Sequence, residues 1–138
     1  MGAVGKKLRR AVGTWGDGKQ LHVRLMHWCP GCKEPHGITI EGGPPTWSFN
    51  GDYEMPSFLP SVLCFTDYEG GQRLPARRTL CHYFIRTGFE LADRGANLDP
   101  HKSYIDFCGD SPHELRGKIV ELPDWPYAPG TYGGIEDG

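Results

Sequence analysis

The sequence predicts a mainly β domain: a small antiparallel sheet or partly open barrel with long loops and one short capped helix, stapled at a cysteine knuckle. Three observations carry this. Gly and Pro number 20 and 12 of 138 residues, about 23%, nearly twice the ordinary level of about 12%. Both residues break long helices, Pro by its missing N–H and Gly by its backbone entropy. Period-2 alternation runs through Leu21–Met26, Leu80–Arg86 is rich in aromatic and branched residues, and Cys29-Pro30-Gly31-Cys32 forms a tight C-x-x-C. A helical bundle is thereby excluded. No apolar run approaches the ~20 residues that a membrane span requires, so no membrane partner is expected. With 38% hydrophobic and 12% aromatic residues, the chain has the material for one core.

Element by element, residues 1–18 read as a flexible N-terminal arm broken by five glycines. Residues 19–125 read as a single metal-stapled β domain and 126–138 as an extended tail. Leu21, Val23 and Leu25 alternate with His22, Arg24 and Met26, the pattern of a half-buried strand running into the knuckle. Gly37 to Glu41 reads as its return strand. Gly42-Gly43-Pro44-Pro45 is a turn, Trp47-Ser48-Phe49 a short strand, and Asn50-Gly51 a type I′ turn signal. Pro56 and Pro60 bracket an extended stretch leading into a strand over 61–65, followed by a polar loop over 66–79. Leu80 to Arg86 is the most β-like run, rich in aromatic and branched residues. After a loop at 92–100 and a short strand at 104–107, Ser111-Pro112-His113-Glu114 has the form of a capping box. It opens a helix that Gly117 stops. Lys118 to Leu122 reads as the last strand.

The formal net charge is −2 and the pI about 6.3, without the basic excess of a nucleic-acid binder, so no nucleic-acid partner is expected. The basic cluster at residues 6–10 reads as a solvated terminus, and no apolar stretch follows it as a secretion signal would require. Five cysteines without such a signal favour metal binding over disulfides and a cytoplasmic location.

Two thiolates at C-x-x-C spacing point at one ion about 2.3 Å away, while the knuckle's backbone N–H groups face the sulfurs. Pro35 and Gly37 follow Cys32 in place of the helix that a thioredoxin-type redox motif needs. Zinc, held as a structural ion by Cys29 and Cys32, is therefore the expected cofactor. Cys81 is the first candidate for the third ligand and His36, four residues past Cys32, for the fourth. His113, Cys64 and Cys108 remain alternatives. Alternation along the strand puts Cys81, Tyr83 and Ile85 on one face and His82, Phe84 and Arg86 on the other. Cys81 and His82 should then serve different sites.

Imidazole titrates near neutrality, so His82 is a candidate general base. A base needs a nucleophile. Ser61, directly after Pro60 at the mouth of a strand, is the candidate, with Asp110 or Asp52 to orient the ring. The G-x-S-x-G elbow of α/β-hydrolases is not present.

The order of motifs carries a resemblance. It runs His27-Trp28-Cys29-Pro30-Gly31-Cys32, His36-Gly37, Trp47, Asn50-Gly51-Asp52 and Pro56-Ser57-Phe58-Leu59-Pro60-Ser61. Cys81-His82-Tyr83-Phe84-Ile85 with Gly88, the stretch from Gly109 to Gly117, and Leu122-Pro123 follow. Over residues 22–125 this resembles a family of small phage and prophage proteins, some mislabelled as ammonia monooxygenases. That family is similar to peptidases encoded in bacterial ubiquitin-like conjugation operons. The resemblance implies a zinc knuckle at Cys29 and Cys32, a nucleophile at Ser61 and its base at His82. The operon peptidases resemble one another in a third knuckle cysteine that this chain lacks. The segment from Asp110 to His113 resembles the phage branch and would supply the acid or mark a different site. A phage-encoded member would act in the host cytoplasm.

The function expected first is a zinc-stabilised serine peptidase acting on a ubiquitin-like or other exposed peptide tail. A non-catalytic zinc module that docks on a host protein, with Trp125, Tyr127 and Tyr132 as anchors, is the second expectation. A zinc-dependent hydrolase with an open ligand position is the third.

Overall fold

The computed structural model describes residues 2–15, 20–94 and 97–127. Two four-stranded antiparallel sheets dominate, and neither closes into a barrel. The first holds β1 (Gly2–Val4), β2 (Leu8–Trp15), β3 (Gln20–Cys29) and β4 (Glu34–Glu41) in chain order. A two-stranded ribbon of β5 (Ser48–Phe49) and β6 (Phe58–Leu59) follows. The second sheet holds β7 (Val62–Glu69), β8 (Gln72–Thr87), β9 (Ser103–Phe107) and β10 (Ile119–Glu121), ordered β10-β9-β8-β7. One short 3₁₀ turn at Ala92–Arg94 is the helical content of the described residues. The mainly β class read from the sequence is thus the class observed.

Both sheets contribute to one core. Leu8, Leu25, Cys29 and Ile38 enter it from the first sheet. Val62, Cys81, Tyr83, Ile85, Ile105 and Phe107 enter from the second, with Phe58 and Leu122 beside them. Alternation decides which side chains go in: along β8, Cys81, Tyr83 and Ile85 are fully buried while His82, Phe84 and Arg86 face outward. A polar contact bridges the sheets inside this core. Tyr83 Oη and His27 Nε2 lie 2.6 Å apart, both residues fully buried. Burial, and next the charge of His36, push the His27 imidazole down to about 4, so the ring is neutral there. Tyr83→Phe removes this partner from a buried ring and is expected to cost about 1–3 kcal/mol in denaturant unfolding. An unchanged midpoint would show that the pair contributes nothing.

Four local expectations are corrected. Residues 2–4 and 8–15, read as part of an arm because of their glycines and charges, are β1 and β2. Leu8 is fully buried, the Arg9 guanidinium lies 5.5 Å from the Trp125 ring centre, and Trp125 donates its N–H to the Lys6 carbonyl. Sheet pairing and burial outweigh the local composition. The polar loop expected over 66–79 is instead the long β7–β8 hairpin. Its turn is Gly70-Gly71, both with positive φ (60° and 81°), the two-residue type I′ geometry that matches strand twist. At Asn50-Gly51 the reverse holds. Only Gly51 has positive φ, and Asn50 Oδ1 accepts from the Asp52 and Ser57 N–H groups, so an Asx-type turn opens a longer loop. The capped helix expected at 111–117 is a run of turns, because the Ser111 hydroxyl is committed to β8 rather than to a helix N-terminus.

The tail is described as far as Tyr127. Trp125 is buried against Trp28 and is no exposed anchor, whereas Tyr127 is 36% exposed. Tyr132 lies outside the described residues.

Candidate functional site

Two clusters stand back to back on the adjacent residues Cys81 and His82. On the inner face, the knuckle between β3 and β4 brings Cys29 and Cys32 to Cys81 and His36. One ligand atom from each of the four lies within 4.8 Å of the others, so the cluster could hold a metal ion. The knuckle closes through Lys33, at φ 58°, whose N–H donates to the Cys29 carbonyl at 2.8 Å. The Cys32 N–H points at Cys29 Sγ, 3.4 Å away, the N–H···S contact expected of a metal knuckle.

The donors fit a tetrahedral ion. Metal–sulfur bonds of about 2.3 Å place the sulfurs of a tetrahedron about 3.8 Å apart; Cys29 Sγ and Cys81 Sγ are 3.9 Å apart. His36 offers a fourth donor atom to the cluster. Its Nδ1 lies 3.5 Å from Cys64 Sγ, while its Nε2 is buried and makes no well-formed hydrogen bond. A ligating imidazole is arranged this way, one nitrogen anchored and the other free for the ion. The groups are also electrostatically matched. A hydrogen bond from Cys81 brings the Cys29 thiol down to about 3 despite burial. Burial opposes charge on His36, yet the neighbouring Cys29 and Cys64 sulfurs raise it to about 11. In exchange, the shared hydrogen bond with Cys29 and burial drive the Cys81 thiol strongly up.

The other candidates fall into distinct places. His113 Nε2 approaches Cys81 Sγ at 3.4 Å, but its Nδ1 accepts the Leu115 N–H at 3.2 Å. The neutral ring must then carry its proton on Nε2, which makes His113 a donor to the Cys81 sulfur rather than a ligand. Cys64 supports His36, and Cys108 lies on the other side of β8, beside His82. A Cβ on Gly31 would collide with the His113 ring, which explains why the knuckle carries glycine there.

On the outer face, Ser61 Oγ is 3.1 Å from His82 Nε2, and His82 Nδ1 is 2.9 Å and 3.2 Å from the two oxygens of Asp110. Asp52 takes no part: its carboxylate caps the Glu54 and Met55 N–H groups. Ser61 enters β7 just after Pro60, and its carbonyl accepts the Trp47 indole N–H at 3.1 Å. Just upstream in the chain, Phe49, Phe58 and Leu59 line a hollow of about 170 Å³ together with Ser57 and Glu90, whose side chains hydrogen-bond at 3.1 Å.

His82 is positioned by the end of a sheet. Strand β9 pairs with β8 only as far as the Phe107–Tyr83 register, so the backbone of His82 has no strand partner on that side. Ser111 replaces it. The His82 N–H donates to Ser111 Oγ at 3.0 Å, and that hydroxyl donates to the His82 carbonyl at 2.6 Å. The Cys108 N–H also donates to this carbonyl, at 2.9 Å. The loop from 108 to 117 is pinched at its neck by hydrogen bonds joining Phe107 to Gly117 and Lys118. It therefore presents Asp110 to His82 and His113 to Cys81. Ser111 was legible only as a helix cap, and no sequence signal marks Trp47 or Ser111 for these roles. Ser111→Ala leaves a half-buried N–H unpaired, at an expected cost of about 1–3 kcal/mol. It should also lower turnover through a misplaced His82, separable from stability by assaying well below the melting temperature. Full activity in a normally folded variant would refute the positioning role.

Fold and outer site together define a small antiparallel β protein with a hydroxyl, an imidazole and a carboxylate in hydrogen-bonded order, the row that activates a serine in hydrolases. Residues 6–89 match the family model described as bacterial ubiquitination-like system serine protease (BubE). The match covers more than half of the chain, and the chain belongs to this family. It takes in β2 to β8, with Cys29, Cys32, His36, Ser61, Cys81 and His82, and stops short of Asp110, Ser111 and His113. No curated protein and no solved structure matches the chain significantly.

Proposed function

We propose that the chain is a serine protease in which Ser61 is the nucleophile, His82 the general base and Asp110 the group that orients it. The substrate is the exposed peptide tail of a ubiquitin-like protein or of its conjugate. The observation that carries the reading is the unbroken row from Ser61 Oγ through His82 to Asp110. Asp110 accepts the Nδ1 proton, which leaves the Nε2 lone pair facing the serine. Ser61 Oγ attacks the scissile carbonyl as its proton passes to Nε2. The tetrahedral intermediate collapses, His82 gives that proton to the leaving amine, and an acyl-serine remains. Water, deprotonated by the same ring, then hydrolyses the ester and restores Ser61. The hollow lined by Phe49, Phe58 and Leu59 suits an apolar substrate side chain near the cleaved bond.

The metal in this reading is zinc, which three sulfurs and one imidazole suit best. Cys29, Cys32, Cys81 and His36 would fill its four positions and make it a structural cross-link between the sheets. With no position open it would hold β8 in place and leave the reaction to the opposite face.

A fluorophosphonate probe tests the assignment. The native protein should be labelled at Ser61, and Ser61→Ala and His82→Ala should not be. An unlabelled native protein with an intact fold would overturn the reading.

A further inference from the structure

A third titratable side chain lies beside the outer row and takes no part in the proposed chemistry. Cys108 offers its sulfur within 4.8 Å of a ring nitrogen of His82 and a carboxylate oxygen of Asp110, which are themselves within that distance of each other. The backbone holds the three together. The Cys108 N–H donates to the His82 carbonyl at 2.9 Å, and the Ser111 N–H donates to the Cys108 carbonyl at 3.1 Å, closing the turn that carries Asp110. The group is half open to solvent, with the His82 side chain 27% and the Asp110 side chain 62% exposed. It is separated by β8 from the cluster of Cys29, Cys32, His36 and Cys81.

We infer that His82, Cys108 and Asp110 form a second metal site, specific for a borderline-soft divalent cation of the zinc class, and that its occupation switches the protease off. The inference rests on the proposed role of Ser61 and His82. One sulfur, one imidazole nitrogen and one carboxylate oxygen are the donor types that zinc accepts, and a half-exposed site leaves its fourth position to water. Coordination releases the Cys108 thiol proton to solvent. The inhibition follows whichever ring nitrogen binds. On Nε2, the ion takes the lone pair that must receive the Ser61 proton. On Nδ1, it displaces the proton held toward Asp110, so the neutral ring carries its proton on Nε2 and cannot accept another. The base of the reaction is thus itself a ligand, and free zinc would set the fraction of active enzyme.

The test uses full-length protein carrying one equivalent of zinc, so that the inner cluster is filled. Further zinc should abolish fluorophosphonate labelling of Ser61. In Cys108→Ala the zinc concentration for half-inhibition should rise about tenfold or more, while labelling without added zinc is retained. Titration of the same zinc-loaded protein with cobalt(II) reads the site without any reaction. The native protein should develop a thiolate-to-cobalt charge-transfer band, and Cys108→Ala should not. Labelling indifferent to zinc, labelling stimulated by it, or equal inhibition and equal bands in Cys108→Ala would each overturn the inference. A native protein that is never labelled, even without added zinc, instead removes the nucleophile assignment and the inhibition with it. The cobalt band then reports separately whether the second site exists.

Discussion

Ser61→Ala and His82→Ala should each lower kcat for cleavage of a ubiquitin-like tail by on the order of 10⁴–10⁶-fold, with the melting temperature nearly unchanged. The magnitude follows from the way such a row works. Hydroxyl and imidazole act as a unit, so losing either removes the whole nucleophilic route and leaves only binding and polarisation of the carbonyl. Stability should be spared because His82 faces outward on β8, Ser61 lies just before β7, and neither belongs to the core. Asp110→Asn should be milder, about 10²–10³-fold. Asparagine can present its amide N–H to Nδ1 and favour the wrong tautomer, but the Asp110 carboxylate is 62% exposed and water screens its charge. Steady-state kinetics on a tail fused to a reporter, with parallel thermal melts, distinguish the cases. Comparable activity in Ser61→Ala would exclude Ser61 as the nucleophile.

Stripping the inner metal should have the larger structural effect. Structural zinc contributes about 10–16 kcal/mol of apparent binding free energy in small metal domains, as much as the whole stability of an ordinary domain, about 5–15 kcal/mol. Here the candidate ligands come from β3, the β3–β4 turn, β4 and β8, so an ion held by them would join the two sheets. Without it, a thiolate, an imidazolium and two further thiols must share one partly buried pocket. A chelator that demonstrably removes the metal should therefore abolish the cooperative melting transition near room temperature, and Cys29→Ser should reproduce this. Cys64→Ser, at a sulfur that contacts the outer nitrogen of His36 and is not among the four candidate ligands, should cost far less. A sharp transition in metal-free protein would refute the structural role of the ion.

The legible part of both sites was local. A period of two cannot place Cys81 and His82 on the same face, so the sequence alone assigned them to different tasks, and both cysteines of the knuckle declared themselves by spacing. The sheet pairing was less legible. Polar, charged residues over 66–79 read as loop because composition reports exposure. The far half of the β7–β8 hairpin is largely exposed on both faces and its register shifts twice, yet it stays paired, with a Gly-Gly turn and cross-strand contacts such as Arg77 over Phe65. Leu8 shows the converse: with Arg9 it is buried in a segment whose neighbouring residues are half-buried or exposed.

Asp110, Ser111 and His113 mark the limit. They lie some thirty residues beyond His82, and their sequence satisfied a helix cap as well as any other arrangement. Their roles arise because β9 stops pairing at Tyr83, leaving the backbone of His82 to be satisfied by a side chain from the following loop. A buried or half-buried N–H must find a partner, and that requirement belongs to the assembled sheet, not to any stretch of chain. Composition, alternation and spacing determined a β protein, a C-x-x-C knuckle, and a cysteine and a histidine on opposite faces of one strand. Only the tertiary structure decided that Asp110 meets that histidine, that His36 keeps a buried nitrogen turned into the cysteine cluster, and that Cys108 stands beside His82.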